Sequence, residues 1–328
     1  MPSSPAFFAR PRIAVLNAPG AGPWPGLEPI SAEAEIVHAH SAKELAEALV
    51  GAEILVVTDI RAEAIESAWP AATSLRWIHA TSAGVDRIAF EALAKSDVVV
   101  TNARGVFDHA IAETVLGSVM AFAKDLRTTF ELQAQRTWRH RETETIRGQQ
   151  MLVVGAGSIG RQIARYARGV GLRVSGVART CREDDPDFER VAGAGELAAL
   201  LPAADWVVIA APLTRETRHL FDGDMLGRTK RGARLINVGR GAIVCTRALV
   251  GALKRGQLAG AALDVFEEEP LPADHPLWGM NNVIITSHMA GDFAGWRPAL
   301  SGQFIELFRA YRRGEALPSR VDIRSLLA

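Results

Sequence analysis

Met151-Leu-Val-Val-Gly155-Ala-Gly157-Ser-Ile-Gly160 is the stretch on which the fold turns. A short apolar run reads as a buried strand, and three glycines at G-x-G-x-x-G spacing follow it without a gap. Glycines at these positions permit a tight turn, close approach of backbone to a pyrophosphate and close packing of the next helix. That helix start offers N–H donors and a positive dipole end. The helical stretch Ile159–Val170, ended by Gly171, supplies the helix. Three glycines alone are weak evidence; between a strand and a helix they favour a dinucleotide-binding unit over a plain glycine-rich turn.

Downstream, six strands are expected: Met151–Val154, Arg173–Val177, Trp206–Ala210, Ala233–Asn237, Ala261–Asp264 and Val283–Thr286. Helical stretches separate several of them, notably Thr246–Arg255, closed by Gly256. This alternation describes a doubly wound parallel sheet. Upstream, Ile13–Leu16, Ile54–Thr58, Leu75–Ala80 and Val98–Thr101 read as strands, and Ser41-Ala-Lys-Glu44 is a capping box opening a helix that Gly51 ends. From an Asp108 cap, apolar residues recur at Ile111, Val115, Val119 and Phe122 toward Gln135, which predicts one long spine helix between two domains. Arg139–Gln150 is polar and without period, a surface loop or partner-contacting arm, and Arg297–Arg313 is an amphipathic helix returning to the first domain.

The chain has 328 residues, enough for two domains that each bury a core. Its 37 Lys+Arg balance 37 Asp+Glu, which removes the electrostatic drive for nucleic-acid or membrane-surface binding. Cys181 and Cys245 are too few for a disulfide framework and too far apart for a metal knuckle, which fits a reducing compartment. The start, MPSSPAFFARPRIAVLN, lacks a signal-peptide apolar core, and no apolar run approaches the roughly 18 residues of a membrane span. A cytoplasmic protein is expected.

Beyond the second sheet strand, where an NAD-binding sheet places an acid for the ribose 2′-hydroxyl, the chain reads Val177-Ala178-Arg179-Thr180-Cys181-Arg182, and no carboxylate comes before Glu183. Small, hydroxyl and basic side chains suit a 2′-phosphate, so NADP(H) is expected as the preferred cofactor, with NAD(H) the alternative. Ligands of open α/β sheets bind outside the carboxyl ends of the strands. The later strands lead there into Ala211-Pro212-Leu213-Thr214, Val238-Gly239-Arg240-Gly241, Phe266-Glu267-Glu268-Glu269-Pro270 and Ser287-His288-Met289-Ala290-Gly291. Hydride transfer to a 2-oxo acid would use such a set. Developing charge on the carbonyl oxygen needs a proton donor near neutrality, the part of His288. A carboxylate beside it orients the ring, and Arg240 can clamp a substrate carboxylate with a planar fork. By type alone Glu267 or Glu268 could stand in for Glu269.

With these residues in view the chain resembles the D-isomer-specific 2-hydroxyacid dehydrogenases. GAGSIG at 155–160, NVGRG at 237–241, DVFEEEP at 264–270 and SHMAG at 287–291 match that family's motifs in order. PLTRET at 212–217, SAGVD at 82–86 and the hinge pair Ala112-Glu113 extend the match over most of the chain. The resemblance implies two Rossmann-like α/β domains with a deep cleft between them: 1–101 with 289–328 for substrate and 102–288 for the nucleotide, in a homodimer. It assigns Arg240, the glutamate before the proline (Glu269) and His288 to catalysis. Backbone N–H groups of Ala83, Gly84 and Val85 would bind the substrate carboxylate. Gly155, Gly157, Ser158, Ile159 and Gly160 would meet the pyrophosphate, with Ala178, Arg179, Thr180 and Arg182 near the ribose. Asp264 would hold the nicotinamide carboxamide, and Ala211, Pro212, Val238, Gly239 and Gly291 would line the cofactor. The product would be the D-hydroxy acid, and the loops most resemble glyoxylate/hydroxypyruvate reductases.

The family usually has proline where Ser287 stands, and its threonine-rich continuation is replaced by Asp292-Phe-Ala-Gly-Trp296, which implies an atypical substrate pocket. The chain ends soon after Val321-Asp322, without the regulatory domain of many phosphoglycerate dehydrogenases, and lacks the formate enzymes' Gln–His pairing. His38 and His40 read as surface residues rather than metal ligands, and no metal is expected. His79 reads as structural, Cys245 as a buried small hydrophobe, and Trp138 as packing or partner contact. His109, at the spine's start, reads as substrate-approaching or solvent-facing, and Arg161, after the glycine loop, is expected to approach a phosphate. The rival reading is a dinucleotide-sensing interaction protein, since corepressors of this fold keep the same trio; a methyltransferase would not need it.

Overall fold

The structure, a computed structural model, describes residues 10–58 and 62–327. The expectation about a leader falls on residues 1–9, outside the described residues. The described residues form two compact units: one holds those up to Val106 and again from Phe293, the other runs from Phe107 to Asp292.

In the first unit, β1 (Arg12–Leu16), β2 (Glu35–Ala39), β3 (Ala52–Val57), β4 (Trp77–Ala80) and β5 (Val99–Asn102) make a parallel sheet in the order β2-β1-β3-β4-β5. Successive side chains point to opposite faces, and here both faces are covered, so the central strands read as unbroken apolar runs. Leu16, Leu55, Val57 and Ile78 pack under Leu45 and Leu49 of helix Ala42–Leu49. Ile13, Val15, Ile54 and Trp77 pack on Phe304 and Phe308 of helix Trp296–Arg312. The sequence has only a weak strand at β2, because this edge strand is mostly half-buried and carries no such run. The capping box forms with one change: Ser41 Oγ accepts from Glu44 N at 3.2 Å, while Glu44 reaches His40 N (2.8 Å).

His79 is buried within this sheet, with Nδ1 2.9 Å from Thr101 Oγ1, the same oxygen that accepts from Trp77 Nε1 (2.8 Å). Its Nε2 has no hydrogen-bond partner among the described residues. Burial depresses its pKa from 6.5 to about 3, because charging the ring would cost its desolvation. The unfolded chain therefore takes up a proton that the native state refuses, and stability present above pH 6.5 is lost as pH falls toward 3. At pH 5 the loss is about 2 kcal/mol. Urea midpoints measured at pH 7 and pH 5 should show this drop, and His79→Gln should remove most of it; an unchanged drop would clear His79 of the effect.

In the second unit, β6 (Gln150–Val154), β7 (Arg173–Ala178), β8 (Val191–Gly193), β9 (Trp206–Ile209), β10 (Ala233–Asn237), β11 (Leu258–Leu263) and β12 (Val283–Ile285) pair in parallel in the order β12-β11-β10-β9-β6-β7-β8. The sheet thus has one strand more than the six expected; β8 spans three residues at an edge, too short to show a period. Strand order reverses between β6 and β9, so the connections diverge there and leave a crevice at the carboxyl ends. The expected single spine is two helices, Asp108–Ala123 and Leu126–Ala134. They are broken at Asp125, whose φ is +47°. Arg141 holds this turn by donating to Asp125 Oδ2 (3.0 Å) and Asp125 O (2.7 Å). Asp108 lies inside the first turn, with Phe107 as the cap. The arm around 139–150 is fastened to its own unit through Arg141, the Glu144–Arg234 ion pair and buried Ile146, while Trp138 is fully exposed. No helix among the described residues is long and apolar enough to cross a membrane.

Candidate active site

The glycine turn sits at the strand-order reversal. Gly155 adopts φ +107°, and a Cβ on it would meet Ala211 N at 2.5 Å; one on Gly160 would meet Gly155 O at 2.0 Å. Packing therefore demands glycine at both positions. Gly157 is different: its φ is −84°, and a Cβ there would meet nothing within 4 Å. Neither strain nor packing in the chain itself calls for glycine at 157, whereas a phosphate lying against the backbone does. Gly157 caps helix Ser158–Gly169 without a side-chain bond, which leaves the first helical N–H groups available to an anion. The residues present fit a dinucleotide pyrophosphate. Ser158 Oγ donates to buried Asp108, and Ile159 is half-buried beside it.

Ala178, the last residue of β7, is half-buried, and Arg179 and Thr180 beyond it are exposed; Arg179 makes no hydrogen bond or ion pair among the described residues. Arg182 donates to Ala156 O at 2.8 Å and lies 3.4 Å from Asp185. Arg161 does not reach into the turn: it grips Asp185 (2.7 Å) and Asp187 (2.9 Å), and Arg165 takes Asp187 as well. Hydrogen bonds from Arg165 outweigh burial and hold the Asp187 carboxyl below its usual range.

Three later loops leave the same carboxyl edge. After β9, Ala211 is buried and Pro212 exposed. After β10, Asn237 accepts from Gly239 N (3.1 Å) and donates to Arg240 O (3.0 Å), a local brace that sets the arginine's backbone. Val238 N bonds Ile209 O at 3.0 Å. Gly241 is required because its Cβ would fall 1.8 Å from the Phe266 carbonyl carbon. After β11, Glu269 accepts from Phe266 N (3.0 Å) through Oε1 and meets His288 Nδ1 at 2.9 Å through Oε2. Geometry thus resolves the three glutamates: Glu267 pairs with His219, Glu268 is exposed, and Glu269 holds His288. Of these, His219 is absent from the sequence reading, since no motif marks it.

His288 has φ +53°, a left-handed conformation unusual for histidine. Asp264 holds it there. Its buried carboxylate accepts from Thr286 Oγ1 (2.5 Å), Met289 N (2.9 Å) and Ala290 N (3.0 Å), and its carbonyl accepts from His288 N (2.8 Å). In the structure Asp264 serves the histidine loop. Gly291 packs on Phe107. In the first unit, Ser82 Oγ donates to Gly84 O (2.7 Å) and Asn102 Nδ2 to Ala83 O. The N–H groups of Ala83, Gly84 and Val85 have no acceptor among the described residues.

The lesser positions resolve as follows. His38 contacts Asn17 (3.1 Å), and His40 pairs with Glu44 (3.5 Å). His109 meets Tyr166 OH at 2.8 Å, and Cys245 is half-buried at a helix start, not fully buried. Among the described residues no group of three or more His, Cys, Asp or Glu could hold a metal.

Comparison with known proteins adds the following. The sequence profile of the D-isomer specific 2-hydroxyacid dehydrogenase, NAD binding domain, matches residues 116–290. A glyoxylate reductase of Korarchaeum cryptofilum is 34% identical over 276 residues, 82% of this chain and 81% of its own. One from Pyrococcus horikoshii is 34% identical over 260 residues, 76% of this chain and 77% of its own. The solved D-isomer specific 2-hydroxyacid dehydrogenase of Xanthobacter autotrophicus, in complex with NADPH and MES, superimposes with a TM-score of 0.81 at 28% identity. The match covers 96% of this chain and 99% of that one. The probable 2-hydroxyacid dehydrogenase of Rhizobium etli, in complex with NADP, HEPES and tartaric acid, gives 0.82 at 26% identity, with 96% and 99% covered.

Proposed function

The chain belongs to the D-isomer specific 2-hydroxyacid dehydrogenase family and is an NAD(P)-dependent oxidoreductase; on that premise we propose that it reduces a glyoxylate- or hydroxypyruvate-type 2-oxo acid to the D-2-hydroxy acid. The observation that carries this reading is the 2.9 Å pairing of His288 Nδ1 with Glu269, beside the loop of Arg240. Bound at the glycine turn, the dinucleotide supplies hydride. The chain supplies the rest. With Nδ1–H given to Glu269, His288 Nε2 carries the proton that the reduced oxygen takes, and withdraws it in the reverse direction. Arg240 clamps the oxo acid and polarises its carbonyl. The free N–H groups of Ala83, Gly84 and Val85 suit a carboxylate, which makes theirs the substrate domain and the unit with the glycine turn the nucleotide domain.

We assign NADP(H) as the preferred cofactor. No carboxylate stands at the end of β7, Asp185 and Asp187 further on are held by Arg161 and Arg165, and Arg179 is left exposed and unpaired among the described residues. The two NADP(H)-bound relatives favour the same reading. Steady-state rates with a panel of 2-oxo acids, NADPH and NADH run in parallel, test it. Arg179→Ala should raise KM for NADPH about tenfold, the worth of one charge-assisted hydrogen bond, and leave KM for NADH unchanged. A wild-type preference for NADH would overturn the assignment.

A further inference from the structure

We propose that Glu267 is a positioning residue for this reaction, tying together the three loops that carry Pro212, Arg240 and Glu269. The inference rests on the catalytic reading above. Glu267 uses both oxygens: Oε1 lies 2.6 Å from His219 Nε2, and Oε2 accepts from Thr246 N at 2.7 Å. Each bond reaches a different loop.

The Thr246 bond substitutes for a missing cap. Helix Thr246–Lys254 begins after Cys245, whose side chain makes no capping bond, so a carboxylate from the β11 loop satisfies the orphan amide. The segment leading into that helix closes the Arg240 turn, since Ile243 N bonds Arg240 O at 3.2 Å and Val244 N bonds Gly241 O at 3.0 Å. The His219 bond reaches the β9 loop. His219 is held at φ +52°, with its N–H on Ala242 O (2.8 Å), and Phe221 N follows on Ile243 O (3.0 Å). Upstream in the same loop, Thr217 Oγ1 donates to Pro212 O at 2.8 Å. Glu267 itself stands between Phe266, which is pressed on Gly241, and Glu269, which takes the Phe266 amide. Burial pushes the Glu267 carboxyl up, but the bonds from Thr246 and His219 prevail and hold it below its usual range.

Donor counting makes the role testable. A carboxylate accepts from both Thr246 N–H and His219 Nε2–H. A glutamine has one oxygen; with that on Thr246, its NH2 can only give to a neutral His219. Glu267 is the charged group facing His219 from the neighbouring loop, with Thr246 beside it and Arg218 its own chain neighbour. Glu267→Gln, which exchanges a charge-assisted bond to His219 for a neutral one, should therefore lose about threefold in kcat/KM for the oxo acid, with KM for the dinucleotide unchanged. Glu267→Ala should lose about fivefold in kcat and raise KM for the oxo acid about fivefold, with KM for the dinucleotide within about twofold.

Steady-state kinetics at 25 °C, with folding confirmed by circular dichroism, decide the matter. A folded Glu267→Ala within twofold of wild type in both constants overturns the proposal. So does a folded Glu267→Gln whose kcat/KM for the oxo acid equals that of wild type, which decides the case if the alanine variant does not fold. Failure of the catalytic reading shows separately, as turnover retained by His288→Ala.

Discussion

His288→Ala lowers kcat by about 10³-fold while dinucleotide affinity, followed by nicotinamide fluorescence, stays within about twofold. The argument is local. Asp264 pins the backbone around His288 and Glu269 holds Nδ1, so Nε2 is the ring nitrogen left for the substrate. Removing the ring takes away the proposed proton carrier but touches neither Gly157 nor the helix start proposed for the pyrophosphate, because those belong to the β6 turn. Rates with glyoxylate or hydroxypyruvate, measured beside cofactor binding, give both numbers. Near-wild-type turnover in this variant would end the acid/base assignment for any oxo acid.

Arg240→Ala is the second large effect, with kcat/KM for the oxo acid reduced about 10³-fold, as expected when two charge-assisted hydrogen bonds of roughly 2 kcal/mol each are lost. Arg240→Lys should recover less than about a tenth of it, since an ammonium cannot present a planar fork. The Asn237 brace and buried Gly241 fix the backbone on either side, so the loss belongs to the side chain and not to a collapsed turn. A lysine variant close to wild type would show that charge alone suffices and that the fork is not used.

Some of this architecture was legible in the chain itself. The glycine turn can be read because two of its glycines, Gly155 and Gly160, are imposed by contacts under 3 Å, while at Gly157 a Cβ would meet nothing within 4 Å. Central strands can be read because burial on both faces leaves unbroken apolar runs. Edge strands escape: β2 is mostly half-buried, and β8 has three residues. The break at Asp125 escapes because its cause, Arg141, lies 16 residues away and is found only through folding. Three consecutive glutamates cannot be told apart by type, and which one meets His288 is settled by how the turn after β11 presents each carboxylate. A surplus of acids over one histidine was the available hint that a second basic partner existed, and His219 is that partner.

The tether from Asp264 to the histidine loop carries a further consequence. β12, which leads into His288, is a three-residue strand with a neighbour on one side alone, the kind of margin that unzips first in thermal fluctuations. Anchoring the following amides to β11 makes the imidazole a passenger of the inner strand, which also feeds Glu269. Loosening of the sheet's rim can then proceed without separating proton carrier from carboxylate.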